Sequence, residues 1–165
     1  MKHWPPSAPP MTKRPRRRIP AFHPVPVGKR RDGWTAERQA ALIGYLAETR
    51  SVIEACRRVG MGRESAYRLR ARLGAAGFVA AWDAALGRAH GPVDPDLAKA
   101  TGLSAAYRCE HGLIQVVMYA GRYAGSRLKT DDSALLQHLA QLDRALAAAD
   151  AAQAGETGLG ESHTF

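Results

Sequence analysis

The 165 residues, 45% of them hydrophobic, are enough for one ordinary domain with tails. Apolar runs fall far short of the roughly 18 residues that span a bilayer, and two cysteines without a CxxC spacing exclude a disulfide scaffold and a cysteine-based zinc site. The cysteine usage fits a reducing, cytoplasmic setting, and Lys and Arg number 24 against 15 Asp and Glu, a net charge of +9, which points to a polyanion partner, nucleic acid ahead of a membrane surface.

The charge is unevenly spread. Residues 1–31 carry nine Lys or Arg and no acid, residues 32–74 eight Arg against five acids, and residues 75–165 seven bases against ten acids. Residues 1–32 also hold eight of the ten prolines. That density blocks helix and sheet, so the segment is expected to be a disordered or locally extended arm. It lacks the apolar stretch of a secretory signal, and its prolines prevent an amphipathic transit helix. Within it, Lys13-Arg14-Pro15-Arg16-Arg17-Arg18 suits a phosphate backbone or a narrow minor groove. The run lacks the central glycine of an AT-hook, and a nuclear localisation signal has the same composition.

Ordered structure is expected from Gly33, with a helix-turn-helix domain over 33–90. Thr35 is placed to cap a helix running to about Glu48, with Leu42, Ile43 and Leu46 on its buried face. Ser51 and Glu54 have capping-box spacing at the start of a second helix, Val52 to Val59. Gly60-Met61-Gly62 ends it, and a third helix is expected from Arg63 to Leu73. A fourth, after Gly77, sets Phe78, Trp82, Ala85 and Leu86 on one face. The region 91–149 begins with an irregular segment around Gly91-Pro92 and Asp94-Pro95, followed by a short helix near Ser104–Cys109. The β-branched and aromatic run Ile114–Tyr119, the turn Ala120-Gly121-Arg122 and the strand Tyr123–Lys129 make a hairpin. Thr130-Asp131-Asp132 caps a last helix with Leu135, Leu139, Leu142 and Leu146 repeating along it. Two heptads are short for an independent coiled coil, so packing on the hairpin is the first expectation and a homo-oligomer seam the second. A disordered tail is expected over 150–165.

The pair of short helices carries the functional expectation. Cys56 and Gly60 supply the small residue and the turn glycine; Ala55, Val59, Met61, Ala66, Leu69 and Leu73 supply the core side. At about 100° per residue, Arg63, Glu64, Tyr67 and Arg68 spread over the opposite side of the third helix, with Arg70 at its edge. A recognition helix in a major groove needs this division. Arg63 and Arg68 suit bidentate pairing with guanine, Glu64 accepts from cytosine N4, and Tyr67 offers a hydroxyl to phosphate or a ring to a thymine methyl. Arg57, Arg58, Arg70 and Arg72 suit phosphates, as do Arg14, Arg16, Arg17 and Arg18 in the arm. A solvated arginine face serving as a protein contact is the plainer alternative.

From Trp34 to Leu86, the segments Ser51-Val-Ile-Glu-Ala-Cys, Val59-Gly-Met-Gly-Arg-Glu-Ser-Ala-Tyr-Arg-Leu-Arg and Phe78-x3-Trp82-x2-Ala85 resemble bacterial homeodomain-like helix-turn-helix proteins. They are especially similar to short proteins related to phage terminase small subunits. The Tyr119-x-Gly121 strand pair, with Asp132 and Leu135-Leu136 after it, is similar to the region C-terminal to the motif in those proteins. The resemblance implies a mainly α fold of three helices plus a packing helix, then the hairpin and last helix. It implies double-stranded DNA as partner, with no cofactor and no catalysis.

Catalytic and metal constellations are not expected. Cys109-x-His111 has no second ligand pair, Asp131-Asp132 is explained by capping, Asp94 and Asp96 flank a proline in a loop, and no glycine-rich phosphate cradle comes after a strand. The expected function is therefore a non-enzymatic DNA-binding protein, a transcriptional regulator first. The alternatives are a terminase-like packaging adaptor, or an interaction module whose basic tail alone binds polyanions. No small-molecule ligand is indicated.

Overall fold

A computed structural model describes residues 18–28, 30–89 and 102–157. The arm residues Arg14, Arg16 and Arg17, the 91–101 stretch expected to be irregular and the tail beyond 157 lie outside the described residues. The elements run α1 (Ala36–Thr49), α2 (Val52–Val59), α3 (Arg63–Arg70), α4 (Ala76–Ala85), α5 (Ala105–His111), β1 (Leu113–Tyr119), β2 (Arg122–Lys129) and α6 (Asp132–Thr157). The fold is mainly helical, with one two-stranded antiparallel hairpin.

Local chemistry sets the first helices. The Thr35 hydroxyl accepts from Arg38 N at 3.3 Å and starts α1, which buries Leu42, Ile43 and Leu46 as the spacing predicts. Ser51 caps α2 by accepting from Glu54 N at 3.3 Å, but the expected capping box is only half made. Glu54 turns outward to Arg57 and Arg58, and Ser51 N instead donates to Thr49 Oγ1 at 3.2 Å. Gly60 closes α2 at φ 74°, a left-handed conformation that a side chain would strain. Helix α3 stops at Arg70, three residues before the predicted end. Leu73, expected on its buried side with Ala66 and Leu69, is therefore carried out into solvent at 93% exposure.

Helix α1 is the hub of the core. It packs against α2, α4 and both strands of the hairpin. The hairpin sits so close that a Cβ on Gly44 would overlap the Tyr123 ring. Tyr45 meets the same ring edge-on at 5.1 Å, and the Glu48 carboxylate accepts from Tyr123 N at 3.0 Å. Phe78 and Trp82 of α4 complete the apolar centre with Leu42, Ile43, Leu46, Ala66 and Leu69.

The expected arm ends earlier than Gly33. Residues 19–28 are extended, as their prolines require, but they are not loose: Phe22, His23, Pro24 and Val25 are buried. Phe22 forms an antiparallel bridge with Ile114 on β1, with N–O distances of 3.0 and 2.7 Å, and its ring lies 5.6 Å from that of Phe78. Gln39, buried on α1, accepts from Val25 N at 2.7 Å and donates to Val25 O and Trp34 O. One side-chain amide thus pairs with the extended backbone as a neighbouring strand would. Tyr107 donates its hydroxyl to Pro24 O. His23 Nε2 lies 2.8 Å from Asp131 Oδ2, which also faces Arg108 at 3.6 Å, while Asp131 Oδ1 accepts from Ala134 N to cap α6. This buried knot ties the N-terminal segment, α5 and the start of α6 together.

The last helix also departs from expectation. It does not fray at 150 but continues to Thr157, because seven of residues 145–154 are alanine, the strongest helix former. Nor do its leucines pack on the hairpin: Leu135, Leu139, Leu142 and Leu146 are 43–64% exposed. No helix of the described residues is long and apolar enough to cross a membrane.

Candidate nucleic-acid interface

Helices α2 and α3 meet across Gly60-Met61-Gly62, with Ala55, Cys56, Ala66 and Leu69 buried between them and the core. Burial raises the Cys56 thiol above its ordinary range, so it stays protonated and packs as a small apolar residue. A bond from the Trp34 indole N–H to Ser65 Oγ, 3.2 Å long, fixes α3 to the chain just ahead of α1. The eight residues of α3 extend roughly 12 Å, and the turn after them carries Arg72.

The expected outward residues do face outward. Arg63, Glu64, Tyr67, Arg68 and Arg72 are exposed, while Ala66 and Leu69 are buried behind them. Arg63 and Arg72 hold no ion pair among the described residues. Arg68 and Glu64 pair along one helix turn at 2.5 Å with both side chains nearly four-fifths exposed. A pair so open to water contributes little and parts easily when a stronger partner approaches. Tyr67 is half exposed, its ring resting 5.6 Å from Trp82.

The expected phosphate contacts divide. Arg70 does not join the outward set. It pairs with both Asp83 oxygens at 3.0 and 3.1 Å and lies over the Trp82 ring, bracing α3 against α4. Arg57 pairs with Glu54 at 2.8 Å. Arg58 reaches Glu48 at 2.7 Å and Glu54 at 3.1 Å and covers the Tyr45 ring. The hydrogen bonds from Arg57 and then Arg58 hold the Glu54 carboxyl down at about 2. Glu48 is lowered by the backbone N–H of Tyr123 and by Arg58, with a smaller effect from Arg122. Arg18 is exposed at the start of the described chain.

Two features lie outside the reach of the motif. Glu48 links α2 to the hairpin, bringing Arg122 into the field of the same carboxylate; its only signal in the sequence is a basic residue next to a predicted turn. The Trp34–Ser65 bond joins residues 31 positions apart, which no spacing rule connects. His111 stacks on Tyr107 at 4.0 Å, and no group of three or more His, Cys, Asp and Glu able to hold a metal gathers among the described residues.

No family model matches the chain, nor does any curated protein or solved structure.

Proposed function

We propose that the chain is a double-stranded DNA-binding protein whose α2–α3 pair acts as a helix-turn-helix, with α3 as the helix presented to the major groove. The observation that carries this is the division of α3: Arg63, Glu64, Tyr67 and Arg68 lie in solvent, while Ala66 and Leu69 are fully buried behind them. A short helix anchored by its back and offering guanidinium, carboxylate and phenol groups near its N-terminus has the donors and acceptors that read base edges. Arg72, together with Arg57 once released from Glu54, supplies phosphate contacts, and the basic residues 1–18 add sequence-independent attraction. Such a chain suits a transcriptional regulator.

A second reading, a protein-contact module, draws on the Arg57, Arg58 and Arg68 pairings with Glu54, Glu48 and Glu64, which leave fewer cations uncompensated than composition suggests. Selection of the full chain against a randomised duplex pool at two salt concentrations separates the two. Enrichment of one sequence that persists at the higher salt is the expected result. Binding that enriches nothing and vanishes with salt assigns the polyanion contact to the arm alone, and overturns α3 as a reader.

A further inference from the structure

From residue 139 to residue 155, every described position of α6 is exposed. That is about 25 Å of solvent-exposed helix. Its first turns are held to the fold: Ala134 is fully buried, and Gln137 accepts from Arg108 of α5. Leu135, Leu139, Leu142 and Leu146 form a row about 140° around the helix from that contact side. Leu136, 68% exposed, widens the row on the outer flank. Alanine favours helix at the far end, but a leucine row held in water gains nothing from propensity, and helical segments in proteins draw most of their stability from packing such a face.

We propose that this row pairs with the same row of a second copy of the chain, in parallel, as a short two-stranded coiled coil. The 4-3-4 spacing of the leucines is that of alternating core positions, so the face is complementary to itself. Flanking charge selects the direction. In the parallel arrangement His138 of each copy stands beside Asp143 of the other, giving two polar pairs astride the leucine layers. In the antiparallel arrangement Asp143 faces Leu136 instead, which sets a carboxylate against an apolar side chain. Beyond Leu146 the core positions fall to Ala149 and Gln153, so the seam ends there. The inference stands apart from the DNA reading, because dimerisation needs no nucleic acid.

Sedimentation equilibrium of the full chain at tens of micromolar tests it directly, with an expected mass of twice 17.8 kDa. Replacing Leu139 and Leu142 together by Lys should weaken association at least about 100-fold, with the thermal transition of the remaining fold retained. A Leu135→Cys variant on a Cys109→Ser background should form an inter-chain disulfide under mild oxidation, since residue 135 meets residue 135 only in parallel. Antiparallel pairing would hold those positions about 16 Å apart. This cross-link decides the matter even where the double lysine variant fails to fold. A monomeric wild type, or a mass well above a dimer, overturns the proposal, and a dimer without the Leu135→Cys cross-link overturns its parallel arrangement.

Discussion

Gln39 acts as a strand edge from within a helix. Its amide satisfies the N–H and the C=O of Val25 and a third carbonyl at Trp34. Gln39→Leu keeps the volume but strands those buried backbone groups, each costing about 1–3 kcal/mol. The expected loss is therefore above about 2 kcal/mol in urea unfolding, far more than an exposed substitution gives. Glu54 gives a different test. Its folded carboxyl titrates at about 2 because it accepts from Arg57 and Arg58, below the ordinary carboxylate value. Its contribution is present above that ordinary value and fades as pH falls from there toward 2. A Glu54→Gln variant should therefore be less stable than the wild type near neutrality and converge with it only as the pH falls to about 2, as read by denaturant midpoints across the range. At α3, Arg68→Ala should cost about 1–3 kcal/mol of DNA affinity and relax preference at one base position if Arg68 reads guanine. An unchanged preference would remove Arg68 from the reading face.

Elements set by adjacent residues are legible in the sequence alone. Thr35, Ser51, Ser104 and Asp131 all cap the helices they were placed to start or that begin beside them, and the hairpin turns at Ala120-Gly121. Capping and turn chemistry act within a few residues, so a linear string carries them whole. Helix ends are less legible. Apolar periodicity extends α3 to Leu73, whereas the backbone bends away after Arg70 and aims that leucine at solvent. Leu73→Ser should then change stability by no more than about 0.5 kcal/mol. The close approach of α1 and the hairpin leaves no periodic trace either. Gly44→Ala must displace the Tyr123 ring from the face of α1, an overpacking expected to cost about 1–3 kcal/mol. The candidate site is half legible for the same reason. Which way α3 faces comes from its spacing, but that Arg70 belongs to Asp83 depends on where α4 packs.

On the scale of the whole molecule, the largest departure is the segment containing Phe22 and Val25. Its prolines correctly exclude regular structure, yet they say nothing about burial, because it is seated by contacts that no local pattern carries, some of them with Tyr107 and Asp131, 83 to 108 positions away. The consequence for truncation is sharp. Removing 1–31 deletes two fully buried core side chains and the His23 partner of Asp131. The loss of Phe22 alone is worth about 3–5 kcal/mol, comparable to the whole stability of a small domain. A fragment starting at Gly33 should therefore show no cooperative thermal transition.

That same segment fixes an order of events during synthesis. Residues 19–28 leave the ribosome well before the strand that receives Phe22 and the carboxylate that receives His23, which are made roughly a hundred residues later, at Ile114 and Asp131. Until then the α1–α4 unit can gather around its own local contacts while the seat for Phe22 against Phe78 stands open. Contacts this distant in sequence close late, since the intervening chain must first be ordered. Of the described segments, the first in chain order is thus the last to find its place.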